Sequence, residues 1–387
     1  MASSLDKIKK YVYDCVKCST CKWLPYEIDH EKSCPAGSKF KFESYFGSGK
    51  IWIAKHLIEG KIDFSDSVVQ KIFACPTCGN CEHICENAVS DHMVEIFECL
   101  REAAVEAGAG PLENQKGFKE SIDANNNPYK EPHEARLKWI GDLKVAEKAD
   151  IMYFVGCTSS YRQNQIAQNT LKIFNKIGAN VAITPDEWCC GSPLLRTGQV
   201  KGINKFIEHN VSVVTDKVGA KKVVTSCAGC YKTIKNDFPK ILGKNLNFEV
   251  QHITDFLVEQ VKEGKLKIEK EIKAKVTYHD PCHLGRHSGV YDSPRKIIEA
   301  CPGVEFIEMP RNKERAWCCG AGGGVKSGFK DWAVEISSER IEEAEKTGAE
   351  ILLTSCPFCV TNLTDAANAT KSKLKVQDIT GFLLERM

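Results

Sequence analysis

The sequence predicts an α + α/β protein, in which an α-helical N-terminal domain precedes two duplicated α/β domains. Three observations indicate this fold class. The first hundred residues show little strand alternation, the chain from residue 150 alternates short apolar runs with helical stretches, and one cysteine pattern occurs twice. The 387 residues, 42% hydrophobic and 27% charged, suffice for two or three globular domains. The 20 cysteines set the chain apart from ordinary enzymes.

The N-terminal domain, which we expect over 1–107, contains two cysteine triplets. Segments 50–60 and 88–107 are predicted helices because their apolar residues lie three and four positions apart. Three thiolates spaced by two residues can surround three corners of one cluster, and in two-cluster ferredoxins the fourth ligand comes from the other group. Zinc, which usually takes two separated cysteine pairs, fits this spacing poorly. We therefore expect two cubane 4Fe-4S clusters, one with Cys15, Cys18, Cys21 and Cys85, the other with Cys75, Cys78, Cys81 and Cys34.

Residues 108–148 are predicted to form an extended linker. Glycine, asparagine and proline are frequent over 108–138, a composition that disfavours regular structure.

The remaining cysteine pattern predicts a duplication. The offset between Cys189 and Cys318 is 129 residues, and the same offset separates Cys227 from Cys356. Such internal similarity marks a repeated unit, here present in two copies over 149–270 and 271–387. The two sets are Cys157, Cys189, Cys190, Cys227 and Cys230, and Cys282, Cys318, Cys319, Cys356 and Cys359. Cys99 and Cys301 remain outside all sets and are expected to be small buried hydrophobic residues.

Each repeat is predicted to contain parallel strands. Strands are expected over 151–155, 181–184, 222–225, 275–278, 304–307 and 351–354, with helices over 163–177, 200–218 and 330–347. Ligands collect beyond the carboxyl ends of such strands. Cys157, Cys227, Cys282 and Cys356 each follow a predicted strand, so the repeated cysteines should meet at one sheet edge.

Charge and hydropathy narrow the function classes. The net charge of +2 and the absence of a basic helix disfavour nucleic-acid binding. No apolar run approaches membrane-span length, and the first residues lack the apolar core of a signal peptide, so we expect a cytoplasmic protein without a membrane span. The glycine run over 320–324 lacks the further glycines of a nucleotide-binding loop and is interpreted as close packing against a cluster.

The pattern of a Cys, a Cys-Cys-Gly and a Cys-x-x-Cys, twice over, resembles the paired cysteine-rich domains in the B subunit of heterodisulfide reductase. The C subunit of that family is a two-cluster ferredoxin, and the D subunit is similar to C fused ahead of B, which is the order here. Asn127-Pro128-Tyr129, Arg136 and Trp139 extend the resemblance into the linker. The architecture is also similar to that of electron-transfer subunits of other anaerobic complexes, such as tungsten-dependent benzoyl-CoA reductase.

The resemblance implies an iron–sulfur oxidoreductase subunit of an anaerobic complex. Each five-cysteine set would hold a noncubane 4Fe-4S cluster, and the pair would cleave a disulfide with single electrons from the cubane clusters. Two alternatives stay open: a pure electron relay between a flavin-containing subunit and a separate catalytic subunit, and a non-enzymatic redox-sensing scaffold. No flavin or nicotinamide motif is present, so a flavin-containing protein partner is expected.

Polar residues near the second repeated set have several possible roles. His279, His283 and His287 surround Cys282 and can donate a hydrogen bond to a cluster sulfide, ligate iron or deliver a proton, or simply bond locally. Asp280 and Pro281 are expected to form the turn before Cys282. The same roles are open to His252, which follows a further predicted strand. Arg162, Arg196 and Arg286 could bind an anionic substrate or could simply be solvated.

Overall fold

The N-terminal domain is helical. The computed structural model describes residues 4–24 and 31–387. Six helices of this domain are α1 (Ser4–Val12), α2 (Pro35–Phe40), α3 (Gly47–Ile58), α4 (Asp66–Phe73), α5 (Asn80–Ile84) and α6 (Met93–Glu106), with a two-stranded antiparallel pair β1 (Trp23–Leu24) and β2 (Glu31–Lys32). Helices α3 and α6 agree with the two predicted segments to within a few residues. The cysteine groups lie between helices, as the spacing indicated.

The expectation of an extended linker without regular structure is wrong for its central part. Helix α7 (Glu113–Asn125) occupies the segment, and a 3-10 turn follows at His133–Leu137. The buried face of α7 consists of Gln115, Ser121 and Ile122. Hydrophobic periodicity is therefore weak, because two of these three side chains are polar. Both donate hydrogen bonds: Gln115 Nε2 to Gly324 O at 2.9 Å and Ser121 Oγ to Asn127 O at 2.7 Å.

Two parallel four-stranded sheets follow. Their strands are β3 (Ile151–Tyr153), β4 (Val181–Ala182), β5 (Lys222–Thr225) and β6 (Glu249–His252), then β7 (Ala274–His279), β8 (Val304–Phe306), β9 (Ile351–Thr354) and β10 (Lys375–Asp378). The first sheet has the order β4-β3-β5-β6 and the second the order β8-β7-β9-β10. The two orders are identical when the first to fourth strands of one copy are matched with the first to fourth strands of the other. The duplication seen in the cysteine pattern therefore extends to the sheet topology.

Helices alternate with these strands. In the first copy they are α8 (Cys157–Tyr161), α9 (Asn164–Lys176), α10 (Ser192–Arg196), α11 (Ile203–Ser212), α12 (Ala228–Lys232), α13 (Phe238–Leu242) and α14 (Ile253–Lys262). In the second they are α15 (Asp292–Glu299), α16 (Val325–Gly328), α17 (Lys330–Lys346), α18 (Pro357–Ala369) and α19 (Ile379–Leu384). The predicted helices 163–177, 200–218 and 330–347 match α9, α11 with its π-helical extension to Val218, and α17.

A buried hydrogen bond recurs in both copies. Tyr153 and Ser226 are joined through their hydroxyl groups at 2.7 Å, and Tyr278 and Ser355 in the same way at 3.1 Å. Each tyrosine stands four residues before the first cysteine of its set, and each serine directly before the Cys-x-x-Cys. The repeated bond ties the ends of two adjacent strands together, and it positions both cysteine-bearing turns beside each other.

The buried side chain of Arg101, on α6, connects all three domains. Its guanidinium donates to the backbone carbonyl of Cys75, to that of Arg196 and to that of Gly323, the last at 2.7 Å. An arginine presents donors only, so carbonyl oxygens from several segments satisfy it well.

Among the described helices, none combines the length and hydropathy needed to cross a bilayer.

Candidate metal centres

The first N-terminal set of cysteines encloses a small cavity. Cys15, Cys18, Cys21 and Cys85 line it together with Asn87. The Asn87 amide lies 3.6 Å from Cys18 Sγ and 3.9 Å from Cys85 Sγ, and the Ser48 amide donates to Cys21 Sγ at 3.3 Å. The structure thus brings together the triplet and the distant cysteine that the sequence paired with it. Cys18 is the exposed member of the set.

The second N-terminal set is more deeply buried. Cys34 caps the start of α2, where Gly37 N donates to its Sγ at 3.4 Å. Burial raises the pKa of the Cys34 thiol to about 12, and the neighbouring Cys75 and Cys78 thiols raise it further, although the ammonium of Lys50 opposes them. The fold therefore brings Cys34 close to Cys75, which lies 41 positions later in the chain. A cation at Lys50 suits a site that would carry anionic thiolates.

The first duplicated set converges at the carboxyl end of its sheet. The Cys189 side chain contacts those of Cys157 and Cys190, and the Cys230 side chain contacts those of Cys190 and Cys227. Arg136 Nη1 lies 3.7 Å from Cys157 Sγ, and the Arg136 guanidinium is paired with buried Glu187. Five thiols therefore form one connected group with a buried cation at its edge.

A glycine makes room for this group. Gly156 has φ +76°, and a Cβ atom there would lie 2.8 Å from Cys230 Sγ. A sulfur atom cannot approach a side-chain carbon that closely, so glycine is required by both the backbone conformation and the packing.

The second duplicated set has the same arrangement. The Cys318 side chain contacts Cys282 and Cys319, Cys359 Sγ lies 3.3 Å from Cys319 Sγ, and Cys356 contacts Cys359. Asp280 holds the preceding turn through a bidentate pair with Arg295 at 2.8 and 2.9 Å and accepts a hydrogen bond from Lys313 N. The predicted turn at Asp280 and Pro281 is therefore present, stabilised by a buried ion pair.

The two duplicated sets face each other across a cavity of about 300 Å³. Cys227 and Cys356 have side chains in contact across it. The cavity wall also includes His283, Arg196 and Lys326. Arg196 is buried and paired with Glu98 and Asp237, and Lys326 is paired with Asp365 and donates to Asn362 Oδ1 at 2.6 Å. The geometry offers an apolar space between two thiol groups with cations at its wall.

A second contact joins the N-terminal domain to this region. The Cys78 and Cys318 side chains touch, so the second N-terminal set adjoins the second duplicated set. Arg286 is partly buried beside both: its Nε donates to Cys78 O at 2.7 Å, and its Nη1 to Ala316 O at 2.7 Å. Arg286 is thus committed to backbone carbonyls, and Arg162 is an exposed partner of Glu131.

The four histidines occupy different environments. Burial lowers the pKa of His283 well below its ordinary value and that of His287 to about 3, so both imidazoles are neutral. His287 Nε2 lies 2.9 Å from Thr77 O, whereas His283 faces the cavity. Burial lowers the pKa of His252 to about 4, and its Nδ1 accepts from Thr254 N as a helix cap. His279, whose side chain is buried, has a ring nitrogen within 4.8 Å of the Cys319 and Cys359 sulfurs.

The two remaining cysteines are buried and lie outside the four sets. Burial raises the pKa of Cys99 to about 12 and that of Cys301 to about 11, and Cys301 Sγ donates to Ile297 O at 3.2 Å. Both are consistent with small hydrophobic residues. Sequence reasoning missed the buried cations Arg101 and Arg340, because nothing in their local sequence distinguishes them from surface arginines, and it noted Arg136 only as part of the family resemblance.

All 20 cysteines are free thiols. Thiol groups of four, four, five and five residues suit soft metal centres. Comparison with known families agrees: residues 11–89 match the 4Fe-4S dicluster domain, and residues 151–235 and 276–364 both match the cysteine-rich domain. Fold and site together define an iron–sulfur electron-transfer protein.

Individual relatives specify the family. The chain is 42% identical over 386 residues to the D subunit of dihydromethanophenazine:CoB–CoM heterodisulfide reductase from Methanosarcina barkeri, covering 96% of this chain and 93% of the relative. It is 41% identical to the same subunit of Methanosarcina acetivorans, covering 94% of this chain and 91% of the relative. The chain belongs to the family of heterodisulfide reductase D subunits and is an iron–sulfur component of an oxidoreductase complex.

More distant relatives share parts of the architecture. The EtfAB:quinone oxidoreductase of Syntrophomonas wolfei is 30% identical, covering 82% of this chain and 47% of its own length. A solved structure of a hypothetical protein from Helicobacter pylori has a TM-score of 0.57 at 9% identity, covering 88% of this chain and 68% of that one. The latter similarity concerns the fold alone.

Proposed function

We propose that the chain relays single electrons through two cubane 4Fe-4S clusters to a pair of noncubane 4Fe-4S clusters, where a disulfide is reduced. The observation that carries this proposal is the sequence of contacts among the four cysteine sets. The charge on Cys21 of the first set acts on Cys81 of the second, Cys78 contacts Cys318, and Cys356 contacts Cys227. The order of sets therefore gives a continuous path from exposed Cys18 to the cavity.

The ligand assignment follows the four sets. The cubane clusters would be held by Cys15, Cys18, Cys21 and Cys85, and by Cys34, Cys75, Cys78 and Cys81. The noncubane clusters would be held by Cys157, Cys189, Cys190, Cys227 and Cys230, and by Cys282, Cys318, Cys319, Cys356 and Cys359. Iron–sulfur clusters supply one-electron redox chemistry when bound. We propose domain boundaries at 1–107, 108–148, 149–270 and 271–387, with α7 inside the connecting segment.

The chain's own residues would bind and orient the disulfide. The cavity between the duplicated sets presents thiol groups on two opposite sides, which suits a substrate with two adjacent sulfurs. Reduction consumes two electrons and two protons and releases two thiols, as the S–S bond breaks. Neutral His283 faces the cavity and would act as a proton relay, in which one ring nitrogen takes a proton from solvent while the other gives its proton to one product thiolate. Lys326, half-buried at the wall, would bind an anionic substituent in place of its ion pair with Asp365. The CoB–CoM heterodisulfide named for the Methanosarcina relatives is the disulfide we propose.

The partner would be a flavin-containing electron-transfer subunit in a cytoplasmic, oxygen-poor setting. A flavin converts two-electron donors into single electrons, which the clusters then carry. The alternative, a pure relay to a separate catalytic subunit, uses the same path but leaves the cavity without a substrate. The likeness to the EtfAB:quinone oxidoreductase is the observation that favours it.

Metal analysis and spectroscopy of the protein, purified without oxygen, test the proposal. Four four-iron clusters require about sixteen iron atoms per chain. Cys227→Ser should remove the signal of one noncubane cluster, whereas the control Cys301→Ser should leave all signals intact. Added heterodisulfide should change the electron paramagnetic resonance signal of the oxidised protein. An iron content far below about sixteen contradicts the cluster assignment, and an unchanged signal with all clusters present favours the pure relay.

A further inference from the structure

His279 carries a buried polar atom without a partner. The residue ends β7, and its side chain is 1% exposed. Its Nδ1 accepts a hydrogen bond from Arg340 Nε at 3.1 Å, while Nε2 has no hydrogen-bond partner among the described residues. A buried polar group left unsatisfied is energetically unfavourable. Such an atom therefore points to a sulfur acceptor beside it, on Cys319 or on a group that this cysteine would hold.

Arg340 fixes which ring nitrogen bears the proton. An arginine donates and never accepts, so His279 Nδ1 must offer its lone pair, and the neutral ring carries its proton on Nε2. Arg340 is itself held by Glu343 at 2.9 Å and by the Arg311 carbonyl at 2.8 Å, with its side chain fully buried. The Nε2 atom of His279 is therefore a hydrogen-bond donor, and it has no free lone pair with which to ligate iron.

The sulfur atoms of the second duplicated set are next to this imidazole. The Cys319 and Cys359 sulfurs and one His279 ring nitrogen all lie within 4.8 Å of one another. Both cysteines belong to the set proposed to hold a noncubane cluster. Cluster sulfur atoms accept hydrogen bonds, and such bonds are among the factors that set the reduction potential.

The first copy lacks this donor. His279 stands three residues before Cys282, and the residue three before Cys157 is Phe154. Phe154 is 1% exposed and packs in the apolar core that includes Cys157 and Cys189. The duplication thus provides an internal comparison, in which one site meets an imidazole N–H and the other an aromatic ring.

We propose that His279, held by Arg340, donates its Nε2–H to a sulfur of the cluster in the second set and raises the reduction potential of that cluster. The inference rests on the proposed function, because it requires a cluster at Cys282, Cys318, Cys319, Cys356 and Cys359. Its consequence is that the cluster of the set that contacts Cys78 is easier to reduce than it would be without the imidazole, so this donor favours electron transfer from the N-terminal domain.

Redox titration followed by electron paramagnetic resonance tests this donor. His279→Phe reproduces the environment of the first copy and should make reduction of the second cluster about tenfold less favourable, which is about 59 mV for a one-electron couple. His279→Gln, which keeps an N–H donor, should restore most of the difference. The first cluster should keep its midpoint in both variants.

A second readout detects the hydrogen bond itself. In protein with ¹⁵N-labelled histidine, the reduced second cluster should show a weak nitrogen coupling, as expected for a hydrogen bond, and Arg340→Met should diminish it. A strong coupling, as direct ligation would give, overturns the proposal, and so does an unchanged midpoint in His279→Phe. Iron content and cluster signals of the unaltered protein report separately on the proposed function, since their absence would contradict the cluster assignment itself.

Discussion

Arg286 Nε donates a 2.7 Å hydrogen bond to the carbonyl oxygen of Cys78, although the two residues are 208 positions apart in the chain. The bond crosses from the second duplicated domain to the N-terminal domain. It lies beside the Cys78–Cys318 contact, where the two domains exchange electrons in our proposal. A partly buried guanidinium at this point is placed to influence the clusters on both sides.

Removal of this cation should make the adjacent clusters harder to reduce. A unit charge about 8 Å from a cluster, at an effective dielectric constant of about 20, is worth roughly 2 kcal/mol, or about 90 mV for one electron. We expect Arg286→Gln to lower the midpoint potential of the cluster at Cys34, Cys75, Cys78 and Cys81 by an amount of this order. Exposed Arg162, changed to Gln, is the control. Equal midpoints in the two variants would contradict the expectation.

The space beside Cys230 gives a prediction about cluster assembly. Gly156→Ala places a methyl group 2.8 Å from the Cys230 sulfur, so the first duplicated set should lose its cluster and the protein about four iron atoms per chain. Gly178 has φ +68° and nothing within 4 Å of the position that a Cβ atom would take, so Gly178→Ala carries the same backbone strain without the clash. Iron analysis of both variants is the measurement. Full iron content in Gly156→Ala would show that the cluster does not need this space.

Arg101 gives a prediction about stability. Arg101→Met leaves buried carbonyl oxygens of three domains without their donor, which should lower the free energy of unfolding by about 3–5 kcal/mol. Thermal unfolding under argon is the measurement. The control is Lys221→Met, whose ammonium is 83% exposed and paired with exposed Asp150. A melting temperature equal to that of the control would mean that the domains are held together by other contacts.

Asp378 gives a prediction about pH. Burial raises the pKa of its carboxyl group to about 7, and the group accepts a hydrogen bond from Thr380 N at 2.9 Å. Between about pH 4 and 7 the folded chain keeps a proton that the unfolded chain releases, so this group makes unfolding easier as pH rises, by at most about 1.4 kcal/mol per pH unit. This contribution becomes constant above about pH 7.

Asp378→Asn keeps the helix cap and removes the titration. The melting temperature of the variant relative to the unaltered protein should therefore rise between pH 5 and pH 8. Exposed Asp150→Asn should show no such trend. A constant difference between Asp378→Asn and the unaltered protein across this range would exclude Asp378 as the titrating group.

The sequence was sufficient to group the cysteines, because local spacing and a fixed offset between copies are properties of the chain itself. Pairing of Cys85 with the first triplet needed only the ferredoxin pattern. The roles of Arg101 and Arg286 could not be predicted from the sequence, because their acceptors are backbone carbonyl oxygens in distant segments. Every residue type has such a carbonyl, so the sequence does not identify the acceptors. For Arg286 the sequence allows anion binding or plain solvation, and its hydrogen bonds to the carbonyl oxygens of Cys78 and Ala316 argue against plain solvation.

Helix α7 and strand β10 show a second limit. The buried face of α7 is largely polar, so its periodicity is hidden, and β10 is an edge strand with exposed Lys375 and few apolar residues. His279 illustrates the same difficulty for chemistry. Its neighbours in sequence allowed a donor, a ligand or a local bond, and only the position of Arg340 distinguishes among them.

The identical strand order of the two sheets has a consequence for how such a protein diversifies. Each copy supplies one wall of the cavity, so a substitution in one copy reshapes one half of the space and leaves the opposite wall intact. An unsymmetrical molecule can then be accommodated end by end, through independent changes in two initially equivalent halves. Duplication followed by divergence, as between Phe154 and His279, turns a cavity with two equivalent walls into a cavity whose two walls differ in chemistry.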